Sequence, residues 1–171
     1  ANQIDESIND IIKDNYEINE RILLELNTSN ELFKHKNFAL NEVAVSKKDT
    51  SSMIKIDAFI DDQFLNTYWA DGLVVSTPTG STGYSLSCGG PIIMPGSNNI
   101  IITPNAPHNL NVRPIVISDN KTIKLKVEDR DQLALVSLDS RHRAFNSDTT
   151  LTIKKADFKV KLITPKENTF T

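Results

Sequence analysis

A mainly β, multi-stranded, sandwich-like domain with a short N-terminal helix is the fold class this sequence predicts, and three observations predict it. Short apolar segments recur at close intervals over residues 21–163, most of them separated by polar turns. One segment alternates by side chain: Ile54, Ile56, Ala58 and Ile60 are set against Lys55, Asp57, Phe59 and Asp61, as a strand buried on one face requires. Helical periodicity is confined to the start of the chain. Many short strands need a second layer to cover their apolar faces, which favours two packed sheets.

The helix is expected over residues 2–15, where Ile4, Ile8, Ile11 and Ile12 fall at i, i+4, i+7 and i+8 on one stripe. Asp5 and Glu6 near its start and Lys13 near its end suit the helix dipole. Alone in water so short a helix is marginal, so its stripe is expected to pack on something else. Beyond it, strands are expected at residues 21–26, 38–45, 54–61, 64–69, 73–76, 100–103 and 114–118, then at 122–127, 132–138, 151–155 and 158–163. Asp61-Asp62-Gln63, Ser118-Asp119-Asn120-Lys121 and residues 128–131 read as turns.

Composition narrows the class of protein. At 171 residues the chain is one ordinary domain, and 39% apolar with 24% charged residues is a soluble globular balance. The mean hydropathy is −0.30. No run approaches the roughly 18 apolar residues that span a bilayer, and no basic-then-apolar leader opens the chain. A net charge of −3 argues against nucleic acid, which calls for a basic face. Cys88 has no internal disulfide partner, which suits a reducing compartment, and His35, His108 and His142 stand at no zinc-ligand spacing. A cytoplasmic location is expected. The chain opens at Ala1 directly in a helical pattern, so an upstream segment is expected too.

Two places depart from plain strand pattern. Residues 77–90 hold four of the six glycines together with seven hydroxyl side chains, and an apolar strand delivers them. Glycine lets backbone approach a ligand closely, and hydroxyls with free amides at a helical turn seat polar or anionic groups. A helical turn is expected from about Ser81 to Ser87; an ordinary polar surface loop is the alternative. The second place is Asn41-Glu42 within an apolar segment, where burial without partners is costly. These two residues either lie exposed on an edge strand or grip a polar ligand such as a ribose diol.

Other templates fit poorly. No Gly-Lys-Ser/Thr follows the glycines, and no Gly-x-Gly-x-x-Gly follows a strand, so neither a P-loop nor a Rossmann turn is present. Gly83-Tyr84-Ser85-Leu86-Ser87 ends in Ser where a nucleophile elbow ends in Gly. A hydrolase using Ser85, His108 and Asp139 would need an α/β scaffold that the strand pattern does not give.

Asn41-Glu42, Asp71-Gly72-Leu73 and the run Ser76-Thr77-Pro78-Thr79-Gly80-Ser81-Thr82-Gly83-Tyr84-Ser85-Leu86-Ser87, followed by Gly89-Gly90-Pro91, together resemble the ATP-NAD kinases. Pro107-His108 and Arg113-Pro114-Ile115-Val116-Ile117 extend the likeness, which covers nearly the whole chain in order. The resemblance implies the NAD-binding, C-terminal β domain of an NAD kinase over residues 21–164, with residues 1–20 as a connecting helix from an α/β domain. The implied reaction moves the γ-phosphoryl group of ATP (or polyphosphate) to the 2′-hydroxyl of the adenosine ribose of NAD, with Mg²⁺ or another divalent cation on the phosphates.

By the same resemblance Asn41 and Glu42 hold the adenosine part, and Asp71 meets the nicotinamide end from a neighbouring subunit of a homo-oligomer, dimer or tetramer. Thr79, Thr82, Gly83, Tyr84 and Ser87 line the site, and Ala106 and Arg141 touch the ligand. Trp69 stands where many relatives carry a basic residue, and Cys88 replaces a usual Ala. The family also carries Gly-Gly-Asp-Gly-Thr in its N-terminal α/β domain, whose Asp is the usual candidate for activating the 2′-hydroxyl, and a helical C-terminal tail. Neither occurs in residues 1–171. No catalytic base and no metal site are therefore expected within the chain, which alone should be nearly inactive. Partners are expected to be NAD, ATP and the N-terminal domain, with neither nucleic acid nor membrane. Two rivals remain: a related lipid kinase, against which Asn41-Glu42 and residues 71–84 speak, and a non-catalytic NAD-binding module.

Overall fold

The structure, a computed structural model, describes residues 2–48, 53–128 and 133–166. Helix α1 (Asn2–Ile12) leads into β1 (Tyr16–Thr28), β2 (Phe38–Ala39), β3 (Glu42–Lys47), β4 (Ile54–Ile60), β5 (Gln63–Ala70) and β6 (Gly72–Ser76). A short helix α2 (Tyr84–Ser87) follows, then β7 (Asn99–Asn105), β8 (Ile115–Ser118), β9 (Ile123–Glu128), β10 (Leu133–Leu138), β11 (Arg141–Asn146) and β12 (Thr150–Pro165). The strands form two six-stranded antiparallel sheets, ordered β2-β1-β12-β9-β4-β5 and β11-β10-β3-β6-β7-β8.

Alternation accounts for the core. Ile54, Ile56 and Ala58 of β4 join Ile123, Leu125 and Val127 of β9 on the inner face of the first sheet. Val43, Val45, Leu73, Val75, Ile100 and Ile102 face them from β3, β6 and β7 of the second. All are essentially fully buried. Each of the Val, Leu and Ile side chains among them contributes roughly 1.5–3 kcal/mol relative to exposure, so the contact between sheets is the main cohesive term. Asp61 and Asp62 both have positive φ, the geometry of a two-residue hairpin turn whose twist suits β4 and β5.

The sandwich expected from the sequence is present, and its strand boundaries differ in four informative places. The segment at 38–45 is two strands: β2 pairs with β1 in the first sheet and β3 with β10 and β6 in the second. The chain therefore changes sheets at Leu40 and Asn41. β1 starts at Tyr16 because β12 pairs with it as far as Pro165. The segments at 151–155 and 158–163 are one strand, interrupted only by a bulge where Leu23 alone faces Ala156, Asp157 and Phe158. β11 has a single buried side chain, Phe145, so hydrophobic patterning could not announce it.

Of the turn expected at 128–131, Glu128 ends β9; residues 129–131, and Gln132 of the next expected strand, lie outside the described residues. α1 stops at Ile12, and its isoleucine stripe is uncovered, with Ile4 67% and Ile12 73% exposed. Among the described residues no helix is long and apolar enough to cross a membrane.

Candidate functional site

The site is built where the chain passes from one sheet to the other. Leu40 and Asn41 belong to neither ladder, yet their backbone groups still require partners. Asp139, at the β10–β11 turn, supplies acceptors: Oδ2 takes the Leu40 N–H at 3.0 Å, and Oδ1 takes those of Asn41 at 2.8 Å and Glu42 at 3.2 Å. The carbonyls are met from residues 77–90. Thr77 donates its hydroxyl to Leu40 O at 2.7 Å and its backbone N–H to Asn41 O at 2.9 Å. Gly80 fits so closely over this crossing that a Cβ there would lie 2.1 Å from Asn41 O. That contact, rather than turn conformation, is why position 80 is glycine.

Residues 77–90 fold as a 3₁₀ turn (Thr79–Thr82) followed by α2, somewhat more broken than the single helical turn expected from the sequence. Their underside is pinned. Ser81 Oγ donates to Pro78 O at 2.7 Å and accepts from Ile93 N–H at 3.0 Å, and Ser85 Oγ shares a 2.9 Å hydrogen bond with Thr103 Oγ1. Beneath lie Ala44, Val74, Ser76 and Ile101, residues of the second sheet that alternate with core positions and are buried all the same. The other side of the stretch, with Thr82, Gly83, Tyr84 and Ser87, is exposed, and Thr79 is half-buried.

Over this platform Glu42, Gly83, Tyr84 and Asp71 lie near one another. The Glu42 carboxylate lies against Gly83, its Oε2 being 3.7 Å from where a Cβ would stand. Burial pushes the Glu42 carboxyl above the usual carboxylate range, and the negative charge of Asp139 adds to the effect. Burial likewise raises the Tyr84 phenol, with smaller contributions from Cys88, Asp71 and Glu42, so Tyr84 offers a neutral ring. Asn105 Nδ2 donates to the Tyr84 hydroxyl at 3.0 Å. The Asn105 carbonyl accepts from Asp71 N–H at 3.0 Å, and Lys47 Nζ sits 2.6 Å from Asp71 Oδ1. Ala106, next along, is exposed and holds a positive φ of 46°. Beside Thr79 and Thr82 runs a groove of about 570 Å³ toward Arg21, Met94 and Leu162.

Arg141 is placed differently from the rest. Its Nη1 donates to Lys36 O at 2.6 Å, its Nη2 donates to Phe38 O, and its guanidinium lies over the Phe38 ring. Two of its five donors thus hold the strand that leads into the crossing. The hydrolase alternative fails on geometry: Ser85 is fully buried with its hydroxyl spent on Thr103, and the Asp139 carboxylate serves three backbone amides. Trp69 is exposed on β5, and its carbonyl accepts from His108 N–H at 2.8 Å. Burial raises the Cys88 thiol, which keeps it protonated at neutral pH. Among the described residues no group of three or more His, Cys, Asp or Glu could hold a metal ion. Lys47 and Asn105 were not marked by the sequence as parts of the site, and Asp139 only as the acid of the hydrolase alternative, because each acts through a contact distant in the chain.

Fold and site together define a two-sheet domain that presents a glycine- and hydroxyl-rich turn beside a half-buried carboxylate. Residues 40–165 match the ATP-NAD kinase C-terminal domain family. The NAD kinase of Cytophaga hutchinsonii is 51% identical over 161 residues, covering 94% of this chain and 55% of that protein. The NAD kinase of Flavobacterium psychrophilum is 53% identical over 162 residues, with the same coverage. Among solved structures, a yeast NADH kinase complexed with NADH superposes with a TM-score of 0.86 at 24% identity, covering 98% of this chain and 50% of that one. An NAD kinase from Archaeoglobus fulgidus in complex with ATP gives 0.78 at 26%, covering 94% and 60%. The chain belongs to the ATP-NAD kinase family, as its C-terminal domain. It spans about half the length of the curated relatives it matches.

Two substitutions test this geometry. Gly80→Ala must displace backbone at the crossing and is expected to cost about 1–3 kcal/mol in denaturant unfolding, whereas Gly83→Ala, whose nearest non-adjacent atom is at 3.4 Å, should cost less than about 0.5. Equal costs would show that the close approach does not matter. For Glu42 the folded value lies above the ordinary 4.5, so the fold binds this proton more tightly than the unfolded chain. The associated stability is complete below that ordinary value and is lost as pH rises through the folded one. Glu42→Gln should therefore unfold at a higher temperature than the parent at pH 7–8, with the advantage shrinking toward pH 4. A variant less stable than the parent at neutral pH would contradict the assignment.

Proposed function

We propose that the protein carrying this chain is an NAD kinase, transferring the γ-phosphoryl group of ATP to the 2′-hydroxyl of the adenosine ribose of NAD, and that this chain supplies the NAD-binding half. The observation that carries the reading is the Glu42 carboxylate, half-buried against the bare backbone of Gly83 beside the Tyr84 ring. An ionised carboxylate is acceptor-only and matches a diol, whose hydroxyls donate. A desolvated one gains most from such donors, since water no longer competes. Asn41 adds an amide with donors and an acceptor, Tyr84 a ring face on which adenine can stack, and Thr79, Thr82, Gly83 and Ser87 further polar lining. Relatives about half identical to the chain are NAD kinases, and the Archaeoglobus fulgidus enzyme was solved with ATP.

In this reading Ala106 borders the ligand, and Arg141 reaches it with the N–H donors not spent on Lys36 and Phe38. Asp71 meets the nicotinamide end of NAD held by a neighbouring subunit of a homo-oligomer. The base that takes the 2′-hydroxyl proton lies in a part of the parent protein beyond this chain, in the α/β domain to which α1 connects. A divalent cation such as Mg²⁺, when bound with ATP, would supply neutralisation of the phosphate charge. The described residues offer no cluster to hold it, so no step is assigned to it in this half. A cytoplasmic setting, with ATP and NAD at hand, accords with this reading.

The test is NADP formation from NAD and ATP-Mg²⁺ by the full-length protein. Asn41→Ala/Glu42→Ala should lower kcat/KM for NAD at least ~100-fold, as expected when charge-assisted hydrogen bonds of about 1.5–3 kcal/mol are lost. The present chain alone should give almost none. No NADP from folded full-length protein would favour a non-catalytic NAD-binding module instead. The shared site has its own check: mixing full-length Asp71→Asn subunits with Glu42→Ala subunits should restore part of the activity each has lost. Strictly additive loss without rescue would remove Asp71 from the neighbour's site.

A further inference from the structure

Asp139 occupies a position that plain turn chemistry does not require. It sits after β10 with a φ of 50°, and its carboxylate faces three consecutive backbone N–H groups, those of Leu40, Asn41 and Glu42, at 3.0, 2.8 and 3.2 Å. Its own N–H donates to Glu42 O at 3.1 Å. Successive amides turned toward one point form an anion-binding concavity, and here the anion is built into the fold. The partners are needed because β2 ends at Ala39 and β3 begins at Glu42, leaving the crossing outside either ladder. Two residues on, Arg141 holds the Lys36 and Phe38 carbonyls, so one hairpin grips residues 36–42 at both ends.

We propose that Asp139 is a positioning residue for NAD: through its bonds to the three amides it fixes where Asn41 and Glu42 present their side chains to the adenosine ribose. It touches no substrate itself, and the proposal rests on the reading of Asn41 and Glu42 given above. A shift of the crossing by even a fraction of an ångström would move Glu42 relative to Gly83 and Tyr84, while the ATP side of the reaction would be untouched. The charged and titratable groups around Glu42 are Asp139 on the β10–β11 turn, Tyr84 on α2 and, beyond the tyrosine, Asp71 between β5 and β6. Of these, Asp139 bears both on where Glu42 lies and on how readily it ionises.

The experiment uses the full-length protein and three variants. Asp139→Gly suits the positive φ and removes both acceptors, so the turn itself survives. Asp139→Asn keeps one acceptor oxygen and loses the charge. Asp139→Glu keeps the charge on a longer arm. KM for NAD, KM for ATP and kcat are measured, with NAD affinity by titration calorimetry as a readout that needs no turnover. The expected result is a rise of at least tenfold in KM and Kd for NAD in the Gly and Asn variants, with KM for ATP within twofold and partial recovery in the Glu variant. In Asp139→Asn the acid limb of kcat/KM for NAD should also move to lower pH, an effect that loss of packing alone would not produce. Unchanged NAD constants in both the Gly and Asn variants, or NAD and ATP constants rising together, would overturn the proposal. An inactive parent protein would count against the kinase reading instead, and the calorimetric comparison would still decide the role of Asp139.

Discussion

The constraint on which the rest of this domain depends is the satisfaction of backbone groups where the chain leaves one sheet for the other. A strand that ends in β2 and restarts in β3 exposes amides and carbonyls that no ladder can serve, and leaving them unpaired would cost about 1–3 kcal/mol apiece. The sequence meets this with a carboxylate on one side and a threonine–glycine turn on the other. Both devices are short-range in energy and long-range in sequence. They bring the β10–β11 turn, residues 77–90 and the Asn41-Glu42 pair to one place, and the candidate site is the surface that results.

That geometry also explains the electrostatics. Glu42 is held half-buried and near a second carboxylate, so its ionised form is less favoured than in water. A fold that tolerates such a group gives up a little stability at neutral pH for a carboxylate primed to accept hydrogen bonds. Pinning of the loop from below by Ser81 and Ser85 leaves its exposed side, with Tyr84 and Thr82, fixed in advance of any ligand.

Much of this was legible in the sequence, and the reasons for the rest are physical. Strands buried on one face, such as β4, declare themselves by alternation, and the glycine–hydroxyl stretch stands out because strand interiors disfavour glycine. The break at Leu40-Asn41 was hidden because Phe38, Ala39, Val43 and Val45 keep one apolar pattern while belonging to two sheets. β11 was hidden by its polar face, and the continuity of β12 by a bulge that looks like a gap in hydrophobicity. Asp139 reads locally as a turn residue; only the fold reveals that its carboxylate is directed at residues far earlier in the chain. Arg141 was expected as a ligand contact, and its hold on the Lys36 and Phe38 carbonyls was not legible.

The pairing of β1 with β12 carries a consequence for the order in which the molecule can come together. Its partners stand at opposite ends of the described chain, Tyr16 against Pro165 and Thr28 against Leu151. Closing so large a loop makes this ladder the costliest in chain entropy, and among the described residues β2 has no neighbouring strand other than β1. The second sheet needs nothing beyond β11. During synthesis it can therefore close while β1, with only the short β2 available to pair with it, keeps Leu23, Leu24 and Leu26 uncovered until β12 has been made.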